Sequence, residues 1–171
     1  MESTGEWCPY VTKLLSKGII RSNATYSPDN RITRAELLKM TVIASGAMPA
    51  YDVDYTYGDI RATDWFAPYV STAKKLGHIS ATNANFEPNR PITRAEAMKI
   101  LLNFKGANTS FEPAYDKNYT YDDVWPTDWF APYVSTAKKL GYISATNLDF
   151  RPQDPISRAE VAKIINTVFL Q

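Results

Sequence analysis

The sequence predicts a mainly α fold, in which three helix-loop-helix repeats form one pseudo-threefold, trimer-like domain around a central three-helix bundle. Its first indication is the run WFAPYVSTAKKLG, which occurs identically at residues 65–77 and 129–141 and more faintly from residue 7. The second is a phrase, ITRAE or ISRAE, at residues 32–36, 92–96 and 156–160. Each phrase opens a proline-free run with apolar residues at helical spacing. Three such equivalent helices most simply bury against one another.

The first helix of each repeat is predicted to open at the tryptophan of the long run. Pro68 and Pro132 fit the first helical turn, where a missing N–H costs nothing. Asp64 and Asp128 lie just upstream, where an N-cap side chain is expected. Gly77 follows the last apolar residue and fits a left-handed helix C-terminus. We therefore expect short first helices that end at glycine.

The second helix of each repeat is predicted to begin with a capping box. A hydroxyl at the N-cap and a glutamate at N3 each satisfy a backbone N–H that the first turn leaves without a partner. The predicted helices run from residue 33 to about 45, from 93 to about 104 and from 157 to about 169. The capping residues are Thr33, Glu36, Thr93, Glu96, Ser157 and Glu160.

Linkers rich in tyrosine separate the repeats. The predicted boundaries are repeat 1 at 1–45, a linker at 46–57, repeat 2 at 58–105, a linker at 106–121 and repeat 3 at 122–171. The tyrosines either contact a sugar or pack the linker onto the body, and we favour packing for most of them. Asp52 and Asp54 alternate as calcium ligands do, but the EF-hand glycine and glutamate are missing and Asn118 replaces Asp54 in the second linker. We therefore predict no metal.

Three arginines contradict local electrostatics. Arg34, Arg94 and Arg158 occupy N1 of the second helices, where the positive end of the helix dipole makes a cation unfavourable by about 0.3–1 kcal/mol. A choice repeated three times indicates compensation from outside the helix. In one interpretation each guanidinium binds a carboxylate or phosphate of a ligand. In the other, each arginine ties its repeat to a neighbour by an ion pair or by stacking on an aromatic ring.

Composition excludes several classes of function. A net charge of +1 provides no broad positive field that would attract nucleic acid. The sequence has no run of 18 apolar residues, so membrane insertion is not predicted. No leader pattern is visible, and we expect the chain to be part of a longer protein. Cys8 has no partner cysteine, and His78 is replaced by isoleucine and tyrosine in the other repeats, which indicates packing. No catalytic set is present, so we predict neither enzyme activity nor a cofactor.

These motifs together resemble the S-layer homology (SLH) family, whose repeats combine a lead-in aspartate, a tryptophan, a loop aromatic with proline, and the ITRAE phrase. In repeat 2 these are Asp59, Trp65, Phe86, Pro88 and residues 92–96. In repeat 3 they are Asp123, Trp129, Phe150, Pro152 and residues 156–160. Repeat 1 has Trp7, Tyr26, Pro28 and residues 32–36 but no lead-in. The resemblance covers nearly the whole chain.

The resemblance implies a monomeric pseudo-trimer that anchors an exported protein to the outside of a bacterial cell wall. The implied ligand is a wall polysaccharide linked to peptidoglycan, commonly ending in pyruvylated N-acetylmannosamine and bound between repeats. Arg34, Arg94 and Arg158 would receive the pyruvate carboxylate. The implied groove walls are Trp7, Trp65, Trp129, Asp64 and Asp128.

One feature departs from the family pattern. The family usually has a second glycine in the loop before the aromatic residue, close to the sugar. This chain instead has Ser22, Ala81, Thr82, Ala145 and Thr146 in that neighbourhood. Side chains there are expected to narrow the groove or change which sugar fits. The alternative function is therefore a protein-interaction or surface-lattice assembly module, with other surface-layer proteins as partners.

Overall fold

The computed structural model describes residues 5–22, 25–106 and 112–171. These residues form six α-helices and two short 3-10 helices, joined by loops. Residues 107–111 of the second predicted linker lie outside it. The α-helices are α1 (Cys8–Ser16), α2 (Arg34–Ala44), α3 (Ala67–Lys75), α4 (Arg94–Gly106), α5 (Ala131–Lys139) and α6 (Arg158–Phe169). The 3-10 helices are Val53–Tyr55 and Lys117–Tyr119. The predicted mainly α fold with three repeats is confirmed.

Helices α2, α4 and α6 pack pairwise and form the predicted central bundle. A closed ring of backbone hydrogen bonds joins the three segments just before these helices. Ile32 N–H donates to the Ile156 carbonyl at 3.2 Å, Ile92 N–H to the Ile32 carbonyl at 3.1 Å, and Ile156 N–H to the Ile92 carbonyl at 3.1 Å. All three isoleucines are buried. The pseudo-threefold arrangement is therefore fixed by hydrogen bonds as well as by apolar burial.

Each first helix packs against the second helix of the preceding repeat. Helix α3 lies on α2, α5 lies on α4, and α1 closes the ring by packing on α6. The α1–α6 contact includes a hydrogen bond from Asn166 Nδ2 to the Tyr10 carbonyl at 3.0 Å. The repeats seen in the sequence are therefore interlocked in space, and the two ends of the chain meet.

All three predicted capping boxes are present, each with its hydroxyl and glutamate hydrogen-bonded as expected. The prediction that Asp64 and Asp128 cap the first helices was wrong. The N-cap residues are Phe66 and Phe130, which make no side-chain cap. The Asp64 carboxylate instead accepts a hydrogen bond from Arg61 N–H at 2.7 Å, and Asp128 repeats this contact. These carboxylates close the preceding turn and are not available to the helix.

The linkers are pinned to the first helices by hydroxyl groups. Asp52 N–H donates to Ser71 Oγ at 2.8 Å, and Ser71 Oγ donates to the Asp52 carbonyl at 2.9 Å. Thr72 binds the N–H and carbonyl of Ala50 in the same way, and the second linker repeats both pairs. Tyr57 and Tyr121 are buried. The packing interpretation of these two tyrosines is therefore confirmed.

A lead-in aspartate holds the loop aromatic of repeats 2 and 3. Asp59 accepts hydrogen bonds from Phe86 N–H at 2.8 Å and Glu87 N–H at 2.7 Å. Glu87 has φ 59°, a left-handed conformation that is unfavourable for a residue with a side chain. Asp123 makes the same contacts in repeat 3. The carboxylate thus stabilises the strained backbone that buries the aromatic ring.

We predict that Asp59→Ala lowers the free energy of unfolding by about 1–3 kcal/mol, because the N–H groups of Phe86 and Glu87 lose a charged acceptor. Urea denaturation followed by circular dichroism measures the change. Asp54→Asn is the matched control, since Asp54 is exposed and the second linker has asparagine there. Equal denaturation midpoints for Asp59→Ala and the unmodified protein would contradict the assigned role.

Candidate functional site

Two grooves lie between adjacent repeats and are lined by the same kinds of residue. Groove A has a volume of about 460 Å³, and groove B has a volume of about 210 Å³. The lining of groove A includes Arg21, Tyr26, Glu36, Lys39, Trp65 and Arg158. The lining of groove B includes Arg34, His78, Ser80, Glu96, Lys99 and Trp129. Each groove takes residues from all three repeats, which follows from their interlocked packing.

The arginine at N1 of each second helix reaches into the next repeat. Arg34 Nε donates to the Phe86 carbonyl at 2.8 Å, and its Nη1 lies 3.2 Å from Glu96 Oε1. Its guanidinium also lies over the Phe86 ring, 4.8 Å from the centroid. The N1 cation is thus compensated by the N3 glutamate and the loop of the neighbouring repeat.

The other two arginines repeat this arrangement and close a ring of ion pairs. Arg94 Nε donates to the Phe150 carbonyl at 2.7 Å, and its Nη1 donates to Glu160. Arg158 Nε donates to the Tyr26 carbonyl at 3.1 Å, and its Nη1 lies 3.3 Å from Glu36 Oε1. The interpretation in which arginines tie repeats together is therefore confirmed for all three.

The ion pairs leave little of each guanidinium exposed. The exposed fractions of the side chains are 13% for Arg34, 12% for Arg94 and 26% for Arg158. The described residues form no hydrogen bond with Nη2 of these arginines. The first N–H groups of α2 already have partners. Arg34 N–H donates to the Arg90 carbonyl and Ala35 N–H donates to the Pro88 carbonyl, both at 3.0 Å.

Trp65 and Trp129, two of the predicted groove walls, present large aromatic faces to solvent. They are 53% and 52% exposed. Lys39 Nζ lies 5.6 Å from the ring centroid of Trp65, and Lys99 Nζ lies 5.5 Å from that of Trp129. Among the described residues neither lysine forms an ion pair. Each groove thus combines an exposed ring with an unpaired cation.

The two lysines were missed when the sequence was read alone. They follow N1 by five positions in the pattern RAExxK, which occurs in all three repeats and includes Lys163. The repetition was visible, but a helix-surface lysine is usually a solvated side chain. Burial, followed by the charge of Arg21, lowers the pKa of Lys39. Lys39 is therefore partly desolvated in groove A, whose lining also holds the like charge of Arg21.

The third inter-repeat position lacks this pair of side chains. Trp7 stacks on Tyr26 of its own repeat, with centroids 5.9 Å apart and planes at 26°. Lys163 is exposed and lies over no ring among the described residues. Arg94, which belongs to this position, lines neither groove. Within the described ranges the third position therefore has no tryptophan–lysine pair like those of grooves A and B.

The remaining predicted site residues lie outside the linings of grooves A and B. Asp64 and Asp128, predicted as groove walls, close the turns described above. The exposed loop residues that replace the expected glycine are Ser22, Ala81, Thr82, Ala145 and Thr146. Neighbours of Thr82 in the loop, Ser80 and Asn83, line groove B instead. The loop therefore borders the groove through different residues from those predicted.

His78 packs at the base of groove B. Its ring meets Phe104 edge to face at 4.5 Å, and burial lowers its pKa. The described residues contain no group of three side chains arranged to hold a metal ion. Asp52, considered for calcium, forms an ion pair with Lys75 at 3.0 Å. Within the described ranges no helix has the length and apolarity needed to span a membrane.

We predict that Arg94→Ala lowers the free energy of unfolding by about 1–3 kcal/mol, since it removes a carbonyl partner and leaves Glu160 without its cation. Arg94→Lys is expected to recover part of the loss, because it restores the charge but not the Nε hydrogen bond. Chemical denaturation measures both, with exposed Arg61→Ala as the control. A stability equal to that of the unmodified protein would contradict a bracing role.

We also predict that the domain loses stability in acid. Burial acts to raise the pKa of Glu96, but hydrogen bonds from Arg90 and Thr93 N–H and the charges of Arg34 and Arg90 outweigh it and lower that pKa. Burial likewise acts to raise the pKa of Glu160, but the hydrogen bond from Ser157 N–H and the charge and hydrogen bond of Arg94 outweigh it. Their stabilisation is therefore present above the ordinary glutamate pKa and lost as pH falls through the lowered values.

Urea unfolding between about pH 6 and about pH 3 tests this dependence. Glu160→Gln should show a smaller fall in unfolding free energy across this range than the unmodified protein. Asp149→Asn is the control, because Asp149 is exposed and repeat 2 has Asn85 at the equivalent position. An unchanged pH dependence in Glu160→Gln would contradict the contribution of the ion-pair ring.

Comparison with known proteins agrees with this architecture. The S-layer homology domain model matches residues 1–38, 56–98 and 120–162. The cellulosome-anchoring protein of Acetivibrio thermocellus is 29% identical over 95% of this chain and 36% of its own length. S-layer protein sap of Bacillus anthracis is 25% identical over 77% of this chain and 16% of its own. An amylopullulanase of Thermoanaerobacterium thermosulfurigenes is 35% identical over 67% of this chain and 6% of its own length. The chain thus spans 6–36% of these relatives and belongs to the S-layer homology family, with three tandem copies of the domain.

Proposed function

We propose that this domain attaches a surface protein to the bacterial cell wall by binding an acidic wall polysaccharide in grooves A and B. The observation that carries the proposal is the duplicated set of an exposed tryptophan, an unpaired lysine over its ring and an adjacent arginine. An aromatic ring covers the apolar face of a sugar, while cations bind its carboxylate. Both requirements are met twice in one chain.

The lysines are the main cations for the ligand. Nε and Nη1 of Arg34 and Arg158 already bind protein groups, so only Nη2 of each arginine remains for the ligand. The positive charge of each arginine is partly neutralised by its glutamate. Lys39 and Lys99 have no such commitment among the described residues. A ketal-pyruvate carboxylate on a terminal amino sugar would lie between lysine and guanidinium while the sugar ring stacks on Trp65 or Trp129.

The relatives support a tethering role that is independent of the attached activity. SLH relatives include S-layer and cell-surface proteins, and one is named for anchoring cellulosomes. An amylopullulanase and an exoglucanase share the same module over a small part of their length. A non-catalytic anchoring module would serve all of them equally, with a different passenger in each protein.

A second candidate function is assembly with other surface-layer proteins. Outside the two grooves, large apolar side chains are exposed at Met48, Val53, Trp125 and Leu148. Tryptophan and methionine, represented here by Trp125 and Met48, are enriched where proteins bind each other. This function predicts self-association that does not depend on wall polysaccharide.

We predict that Trp65→Ala combined with Trp129→Ala lowers the affinity for purified cell walls by about tenfold or more, because stacking is lost in both grooves. Lys39→Ala with Lys99→Ala should weaken binding and reduce its salt dependence. Cosedimentation with walls, before and after chemical removal of the polysaccharide, measures these changes.

Matched controls are available within the chain. Lys163→Ala changes the equivalent lysine that lies over no ring, and Trp125→Ala removes an exposed tryptophan outside both grooves. Both are expected to bind like the unmodified protein. Sedimentation that persists after the polysaccharide is removed would refute the proposed ligand and favour surface-layer assembly.

A further inference from the structure

Groove A contains two unpaired positive charges. Arg21, Lys39 and Arg158 are in its lining, and Glu36 is the acidic residue that faces them. Glu36 is already engaged, because Oε2 accepts from Thr33 N–H at 2.9 Å and Oε1 accepts from Arg158 Nη1 at 3.3 Å. Among the described residues neither Arg21 nor Lys39 forms an ion pair. Arg158 is neutralised, and the other two cations are not.

Groove B contains one unpaired positive charge. Ser80 occupies the position equivalent to Arg21, three residues after the helix-ending glycine. Arg34 is paired with Glu96, and Arg90, which also binds Glu96 at 2.8 Å, has its own acidic partner in Glu87 at 3.0 Å. Lys99 is then the unpaired cation of the lining among the described residues. The volume of groove B is less than half that of groove A.

Arg21 and Lys39 are like charges in the lining of the same groove. Their charges repel, and the pKa of Lys39 is lowered by burial and by Arg21. Two cations that line one groove without an acidic partner among the described residues are a suitable binding site for an anionic ligand, which would reduce their repulsion. One carboxylate neutralises one of these charges, whereas a second negative charge is needed for both.

We propose that groove A selects a sugar segment with two negative charges, that groove B selects one with a single charge, and that Arg21 determines the difference. This inference rests on the proposed function, because it concerns the same polysaccharide sites. The two charges reside either on one phosphate monoester or on two neighbouring carboxylated sugars. Both present oxygen atoms that an arginine and a lysine bind together.

The grooves can be separated by mutation. Trp129→Ala leaves groove A as the working site, and Trp65→Ala leaves groove B. The probes for calorimetry are the methyl glycoside of pyruvylated N-acetylmannosamine with one charge, N-acetylmannosamine 6-phosphate with two charges on one sugar, and a disaccharide of two pyruvylated sugars. Comparing N-acetylmannosamine 6-phosphate with the disaccharide shows whether the two negative charges lie on one phosphate or on two neighbouring sugars.

In the Trp129→Ala protein we expect a doubly charged probe to bind about fivefold more tightly than the singly charged one, with a steeper dependence on salt. Arg21→Ser should abolish this preference, and Ser80→Arg should create it in the Trp65→Ala protein. Arg61→Ser, which changes an exposed arginine outside both grooves, is the control. The Arg21 side chain forms no hydrogen bond or ion pair with a described residue, so its replacement is not expected to disturb folding.

The possible failures are distinguishable. If the proteins bind purified wall polymer but Arg21→Ser leaves the charge preference unchanged, the selectivity inference is overturned and the anchoring function stands. If the unmodified protein binds neither the polymer nor any probe, the anchoring function fails and the inference fails with it. Equal affinities of groove A for singly and doubly charged probes also overturn the inference.

Discussion

The contacts that join each repeat to the next are the constraint on which this structure depends. The second helices begin with N–H groups that have no partner inside their own helix. Here the N1 and N2 amides bind loop carbonyls of the neighbouring repeat, and the isoleucines before them bind one another in a closed ring. Arg34, Arg94 and Arg158 add an ion pair and an aromatic contact at each junction. No repeat satisfies its backbone or buries its apolar face alone.

The candidate binding grooves follow from this interlocking. Because α3 and α5 pack on the preceding repeats, Trp65 and Trp129 are each brought beside the second helix of that repeat and the arginine of a third. The internal duplication serves as a comparison within one molecule. Trp65 and Trp129 lie over lysines, whereas Trp7 stacks on Tyr26 and leaves Lys163 uncovered among the described residues. The two identical runs thus accompany two similar grooves, and the more divergent first copy accompanies a different junction.

The arginines show how far a local argument reaches. A cation at N1 was correctly expected to need compensation from outside its helix, and the compensating group is a glutamate of the next repeat. The same glutamate completes the capping box of its own helix. One carboxylate therefore links helix initiation to the assembly of repeats. Lys39 and Lys99, unlike these arginines, have no ion-pair partner among the described residues, and their importance appears only when the tryptophans of another repeat are seen above them.

The sequence by itself determined the repeats, the mainly α fold, the capping boxes and the family, because these depend on periodicity and on hydrogen bonds between residues three or four apart. Only the tertiary structure decided which helices pair, that Asp64 and Asp128 close turns, and which side chains line a groove. The contacts responsible join residues 52, 56 and 132 positions apart at the three arginine junctions. Local patterns specify which elements form, but the choice between a ligand and a neighbouring repeat as the partner of a charge depends on packing between distant segments.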